Sequence, residues 1–385
     1  VSTLPHYVNE APFDPKRTMA EGSRYSDKYT RASQRQIIWW RFRRHRIAML
    51  ALIFLVPAYL TVFFTEILAP YGLETRNTQH IFMPPQSLHL FHEGSFIGPF
   101  TYKTTGTLDL DTLQRRYTED RTQPQPIRFF CSGDPYLFWG LIEGNFHLVC
   151  PPEGGTMFLL GTDRLGHDML SRLIHGARIS LTVGLVGVTI SFVLGLFFGG
   201  LAGYFGGRID WWVQRTTETL RSIPELPLWL ALSAALPVTW SPILIYFGIT
   251  IILALLDWPA LARAVRSKLL SLREEDFTAA AVMMGAKPSR VIARHLLPNF
   301  MSHLIASASL SIPSMILAET ALSFLGLGLR PPITSWGVLL SEAQNIEAVA
   351  LYPWLLFPMV PVMLVVLAFS FLGDGLRDAV DPHAH

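Results

Sequence analysis

DFTAAAVMMGAKPSRVIARHLLP, residues Asp276 to Pro298, lies between two long apolar segments and decides how the rest of the chain is read. The spacing predicts a short helix, a break at Gly285, and a second helix entered through Lys287-Pro288-Ser289 and closed by Pro298. Glycine after a helix takes a positive φ without steric cost, and proline fits a first helical turn, so the break is sharp. Phe277, Ala280, Ala281 and Met284 recur at i, i+3, i+4 and i+7 and form one apolar face. Val282 and Met283 point elsewhere, so this helix is apolar on more than one side. Such a helix, on a polar loop between membrane spans, needs a protein groove to fill. The plain alternative is an ordinary amphipathic loop helix.

The flanks say what kind of loop this is. The chain has 385 residues, is 50% hydrophobic and only 16% charged, the balance of an all-α polytopic membrane protein. A bilayer crossing takes about 20 apolar residues. Six stretches qualify: Ile47 to Leu68, Ser180 to Tyr204, Trp211 to Ala235, Ile243 to Leu261, Leu304 to Leu325, and Leu351 to Leu372. The third is the weakest, with Arg215, Glu218 and Arg221 in its first turns and Pro224 and Pro227 interrupting it. No cleavable signal peptide is expected, because the first apolar run begins beyond residue 45.

Basic residues set the orientation. The first 46 residues hold ten Lys/Arg against four acids, and the loop from Arg263 to Arg294 carries seven more. The loops at 236–242 and 326–350 hold only Arg330. Both termini and the 262–303 loop are therefore expected in the cytoplasm, with six transmembrane helices. Arg41, Arg43, Arg44 and Arg46 interleave with Trp39, Trp40 and Phe42, the pattern of an interfacial anchor on anionic lipid rather than a nucleic-acid arm. The expected divisions are 1–46 as a cytoplasmic tail and anchor, 47–69 as the first crossing, 70–160 as a large extracytoplasmic insertion between helices 1 and 2, and 161–385 as the core with transmembrane helices 2–6 and the cytoplasmic loop at about 262–303.

The 70–160 insertion holds nine prolines, several aromatics and both cysteines of the chain, and reads as irregular or β-rich. Outside the cytoplasm a pair such as Cys131 and Cys150 usually oxidises, and closing so short a loop is worth roughly 2–4 kcal/mol. The alternative is two separate buried thiols. In the second span Gly195, Gly199, Gly203 and Gly207 recur every four residues, a ridge that lets another backbone approach closely.

Catalytic patterns are missing. The sequence has no G-x-x-x-x-G-K-[ST] phosphate loop, no H-E-x-x-H, no C-x-x-C and no G-x-S-x-G. His89 and His92 lack the acidic or cysteine company of a metal site. What remains are charges at membrane depth, which are costly and so point either to function or to pairing. Arg215, Glu218, Arg221 and Glu225 have the spacing to pair along one helix face, and Asp257 reads as paired with Arg263. Glu319 sits among Ser309, Ser311, Ser314, Thr320 and Ser323. With Ser311 and Ser314 it could line a translocation pathway, or it could be a buried carboxylate bonded to neighbouring hydroxyls.

Residues 276–298 resemble the EAA loop of ABC-importer permeases: Ala280, Ala281, Gly285, Leu297 and Pro298 match its spacing, with Ala279 where that loop has glutamate. The resemblance extends through Trp40-Arg41-Phe42-Arg43-Arg44-His45-Arg46, then Gly161-Thr162-Asp163-Arg164-Leu165-Gly166-His167-Asp168 and Gly176-Ala177-Arg178-Ile179-Ser180-Leu181. It continues in Ala202-Gly203-Tyr204-Phe205-Gly206-Gly207, Leu322-Ser323-Phe324-Leu325-Gly326-Leu327-Gly328, and Leu372-Gly373-Asp374-Gly375-Leu376-Arg377-Asp378 with Asp381-Pro382. This set is similar to the second permease of dipeptide/oligopeptide ABC importers; His167 stands where that family generally has arginine. The resemblance implies a type I importer core in a bacterial inner membrane, paired with a homologous permease, two cytoplasmic ATPases and an extracytoplasmic binding protein. It implies no enzyme activity and no cofactor here, ATP and magnesium being held by the ATPases. Phe277, Ala280, Ala281, Met284, Gly285 and Pro298 would then couple to the ATPases. Nickel chelates or oligosaccharides are the competing cargo within the family, and a secondary transporter the competing class.

Overall fold

The computed structural model describes residues 33–110, 115–237, 239–330 and 333–380. The polar tail over 1–32 and the Asp381-Pro382 motif lie outside the described residues. Helix α1 (Gln34–Arg44) opens on a reciprocal cap: the Gln36 N–H donates to Ser33 Oγ, and the Ser33 N–H to Gln36 Oε1 at 3.0 Å. Its last turn carries Arg41, Arg43 and Arg44, where cations suit the helix dipole. His45 then leaves helical geometry and caps α2 (Arg46–Phe63), accepting the Ala48 N–H on Nδ1 at 3.1 Å. A short α3 (Thr65–Leu68) follows.

The insertion is built of strands, so the chain as a whole is not all-α; only its membrane part is. Strands β1 (His89–His92), β2 (Ser95–Leu108) and β3 (Arg115–Pro126) form an antiparallel sheet, and β4 (Arg128–Phe138) pairs with β5 (Ile142–Cys150) in a separate hairpin. Phe100, Tyr102 and Thr104 share one face of β2, and Phe100 is fully buried against His89 and Tyr102, with Thr101 on the other face buried as well. Cys131 and Cys150 are joined in a disulfide, Cα to Cα 6.3 Å, across the β4–β5 pair.

Among the described residues five helices are long and apolar enough to cross a bilayer. They are α2, α4 (Met169–Phe205), α7 (Pro242–Arg273), the run Pro288–Phe324 that ends in α10 (Met301–Phe324), and Pro353–Val380, which follows the short α12 (Ile346–Leu351) and contains α13 (Met359–Val380). The span expected over Trp211–Ala235 is instead two helices, α5 (Gly207–Ser222) and α6 (Glu225–Ala234). Pro224 explains the break, because it biases Ile223 out of the helical region, to φ −95° and ψ 134°. With the helix broken there, Arg215 pairs with Glu218 at 3.3 Å, but the proposed ladder does not run on as one face to Glu225.

Helix α4 is the hub. At about 1.5 Å per residue its 37 residues outrun a 30 Å bilayer core. Leu181 packs with Leu55, Ile316, Val365 and Phe369, tying α4 to α2, α10 and α13. Its glycine ridge meets α7: a Cβ on Gly199 would stand 2.5 Å from the Ala262 carbonyl, and one on Gly203 2.9 Å from that of Arg266. Gly207 has no such neighbour and belongs to the turn into α5, at φ +54°.

Candidate functional site

The loop after α7 keeps its expected break. Helix α8 (Asp276–Met283) ends on Met284, and Gly285 follows at φ +80°. The Gly285 N–H donates to the Val282 carbonyl at 2.9 Å and the Ala286 N–H to that of Ala281 at 3.1 Å, which closes the helix in a Schellman motif. Nothing lies within 4 Å of a Cβ built on Gly285, so backbone conformation and not space calls for glycine.

The apolar stripe divides differently from the i, i+3, i+4, i+7 reading. Thr278 and Ala281 face the protein, Thr278 Oγ1 donating to the Leu272 carbonyl at 2.8 Å. Ala281 is therefore covered, while Phe277, Ala280, Val282, Met283 and Met284 are exposed, the two methionines at 82% and 81%. Pro298 does not close a helix. Short helix α9 (Pro288–Arg290), a wide turn over Val291–Leu296 and a tight one over Leu297–Phe300 lead straight into α10. Pro298 falls in the first turn of that tight stretch, where its missing N–H is not needed.

Glu319 is sealed. Its carboxylate accepts from Ser323 Oγ at 2.8 Å, Ser335 Oγ at 2.6 Å and Ser180 Oγ at 3.2 Å, and the residue has no exposed surface. Each serine oxygen also accepts a backbone N–H, from Leu329, Val338 and Trp336 respectively, so each hydroxyl proton is left to point at the carboxylate. Glu319 thus pins α4, α10 and the start of α11 (Trp336–Ser341). Ser314 bonds the Leu310 carbonyl on an exposed face, Ser311 is half-buried a helix turn further away, and neither meets Glu319. Asp257 accepts from Ser191 Oγ at 2.7 Å and not from Arg263, a correction to the intrahelical pairing.

A second polar cluster precedes α4. Asp163, fully buried, accepts the Leu165 and His167 N–H groups at 2.7 and 2.9 Å, His167 Nδ1 at 2.6 Å, and the Arg172 guanidinium. Arg76 Nε donates to His167 Nε2 at 3.2 Å, so Nδ1 carries the proton given to Asp163. Burial pushes the Asp163 carboxyl up, but the His167 hydrogen bond and the Arg172 charge outweigh it and hold the group below the usual carboxylate range. Arg172 also reaches Glu342 at 2.8 Å. Asp168 caps α4, taking the Ser171 N–H and hydroxyl on Oδ2, while its buried Oδ1 has no partner; burial pushes its pKa up to about 6.

Two forked ion pairs escaped the sequence reading because their partners are far apart in the chain. Arg178 forks onto Glu66 at 2.5 Å for both nitrogens, and Arg266 forks onto Asp210. The only signal was that each carboxylate sits at the end of an apolar run. Among the described residues no group of three or more His, Cys, Asp or Glu could hold a metal ion.

Known proteins share this arrangement of sequence. The family described as binding-protein-dependent transport system inner membrane component matches residues 195–385, and the N-terminal transmembrane domain of oligopeptide transport permease C matches 33–85. The dipeptide transport system permease protein DppC of Alkalihalophilus pseudofirmus is 41% identical over 223 residues, 58% of this chain and 71% of that one. The oligopeptide transport system permease protein OppC of Haemophilus influenzae is 40% identical over 260 residues, 66% of this chain and 81% of that one. The di/tripeptide permease DppC of Pseudomonas aeruginosa is 41% identical over 240 residues, 61% and 77% of the two chains. With this identity over more than two thirds of each relative, the chain belongs to the binding-protein-dependent transport permeases, in the group that holds DppC and OppC.

Proposed function

We propose that this chain is the membrane-spanning subunit of an ATP-driven ABC importer with a six-span type I core, and that it moves di- or oligopeptides handed over by an extracytoplasmic binding protein. It pairs with a homologous permease in a bacterial inner membrane, and two cytoplasmic ATPases bind the ATP and magnesium. The named relatives are dipeptide and oligopeptide permeases, which favours peptide over nickel chelate or oligosaccharide. The observation that carries the reading is α8, a helix fixed to the body through Thr278 and Ala281 and closed at Gly285 that still projects Phe277, Met283 and Met284. Burying each of these side chains is worth about 1.5–3 kcal/mol, and a partner groove supplies that burial.

The direction of two helices supports the reading of six crossings. Gly195, Gly199 and Gly203 of α4 approach Leu261, Ala262 and Leu269 of α7 in ascending order, and Arg273 Nη1 donates to the Tyr204 carbonyl at 3.1 Å. The helices run parallel, which favours a return across the bilayer between them, carried by α5 with α6. Ser233, near the end of α6, bonds the Leu327 carbonyl beyond the far end of α10.

Docking is tested by pull-down. Phe277→Asp and Met284→Asp each place a charge where burial is needed. ATPase recovery through a tagged permease should fall several-fold while the paired permease is retained, with Ile53→Val as a mild control. Unchanged ATPase recovery in both variants would remove α8 as the docking element. Cargo is read separately, by mass spectrometry of the ligand that co-purifies with the binding protein.

A further inference from the structure

The β4–β5 hairpin ends in an apolar tip that the permease reading does not use. Leu137, Trp139, Leu141 and Ile142 are all exposed there, Leu141 at 84% and Ile142 at 64%, and polarity resumes at Glu143. In water a soluble hairpin turn carries Asn-Gly or Asp-Gly, because both central residues need positive φ. Here the turn is Trp139-Gly140, at φ 51° and 71°, with the Leu141 N–H on the Phe138 carbonyl at 3.0 Å. A bulky residue at positive φ is held there against its preference, so its surroundings must fix it.

They do, and they fix it to the end of a membrane helix. The Trp139 indole N–H donates to the Phe63 carbonyl at 3.1 Å, and its backbone N–H to Glu66 Oε1 at 3.3 Å. Phe63 is the last residue of α2, whose final carbonyls have no partner within the helix. Arg178 takes the neighbouring Val62 carbonyl at 3.0 Å and lies over the Trp139 ring, 4.4 Å from its centre. The Phe63 ring contacts Phe138 and Trp139, each at 6.0 Å. The hairpin is thereby locked at the level where α2 leaves the hydrocarbon.

We infer that the 137–142 tip dips into the outer face of the lipid bilayer and anchors the inserted subdomain to the membrane surface. Continuity identifies the occupant. The exposed Leu60, Phe63 and Phe64 at the end of α2 adjoin the hairpin tip, so one apolar surface runs from the spanning helix onto the turn. Tryptophan with its N–H satisfied and its ring between the Phe63 ring and the Arg178 guanidinium, apolar on one side and polar on the other, is the residue expected at that boundary. The short apolar length, ended by Glu143, suits a shallow insertion at the headgroup level and not a further crossing.

The inference rests on α2 spanning the bilayer, and its test separates the two. Both native cysteines are joined, so single cysteines at Leu141, Leu60 and Arg121 can carry an environment-sensitive fluorophore on the full chain, purified with its retained subunits in phosphatidylcholine–phosphatidylglycerol nanodiscs. Leu60→Cys reports the lipid face of α2 and Arg121→Cys an exposed site on β3. A nitroxide on the upper acyl chain should quench the probe at 141 comparably to that at 60 and several-fold more than that at 121, with little quenching by aqueous iodide. Iodide quenching at 141 equal to that at 121 puts the tip in water and overturns the inference. Shielding from both quenchers means that another protein chain covers it, which also overturns it. If the probe at 60 escapes the lipid quencher, the spanning role of α2 fails and the anchor falls with it.

Discussion

Glu319 shows what a single membrane-buried carboxylate can be for. Three serine hydroxyls aim their protons at it, so the site requires an acceptor more than it requires a charge. Glu319→Gln should be tolerated: its amide oxygen can replace Oε1 for Ser323 and Ser335, and its NH₂ can face Ser180, which has a lone pair left. Glu319→Leu strands the hydroxyls in an apolar interior, at about 1–3 kcal/mol for each one left unsatisfied. The loss should appear as a lower thermal inactivation temperature of the solubilised protein. Uptake that fails equally with Gln and with Leu would mean that the charge itself takes part in transport. Asp168 makes a different prediction. Its pKa is raised from the unfolded value, so between about pH 4 and 6 the folded chain binds more protons than the unfolded one, and stability falls as pH rises through that window. Asp168→Asn keeps the capping oxygen and should flatten that part of the stability–pH profile.

At the scale of elements, what the sequence displayed and what it hid divide by whether a partner was needed to decide. The five long apolar helices and the break at Gly285 were legible because length, hydropathy and a positive-φ glycine are local properties. Which face of α8 turns inward was not, because alanine and methionine surround that helix and only the contacts of Thr278 and Ala281 with the body distinguish one side. Asp257 was assigned to Arg263 because both lie on α7, whereas its true partner, Ser191, belongs to α4. Helix continuity past Pro298 was hidden for a related reason: the turn there widens and then tightens, and no residue pattern announces it. The glycine ridge was readable as a close contact but not as to its partner, and the structure makes it specific. Gly199→Val would bring side-chain atoms against the Ala262 backbone, which has no flexible end to yield. It should force α4 and α7 apart, seen as loss of the monodisperse complex in size-exclusion chromatography. Gly207→Ala, at a site with open space, should be much milder, with only its positive φ to oppose it.

For the whole molecule, sidedness is the property on which every partner assignment depends, and it reduces to whether the segment between α4 and α7 crosses. If α5 and α6 return through the bilayer, Trp240 lies on the same side as the β strands and Met283 on the opposite side. If they lie on one surface instead, the parallel course of α4 and α7 cannot be kept, and Trp240 and Met283 exchange sides relative to the strands. Arg121→Cys, Trp240→Cys and Met283→Cys are all at exposed positions, and the native thiols are joined, so each introduced thiol reacts alone. A membrane-impermeant maleimide applied to intact cells whose outer barrier has been opened should label 121 and 240 and leave 283 unmodified until the inner membrane is lysed. Labelling of 121 and 283 with protection of 240 would reverse α7 and place the α8 loop beyond reach of a cytoplasmic ATPase. Labelling of 283 alone, with 121 and 240 both protected, would invert the entire chain, against the basic residues before α2 and along the loop after α7. Only the first pattern puts a fixed apolar helix in the cytoplasm and a lipid-facing hairpin outside, as coupling to an ATPase on one side and to a delivered solute on the other requires.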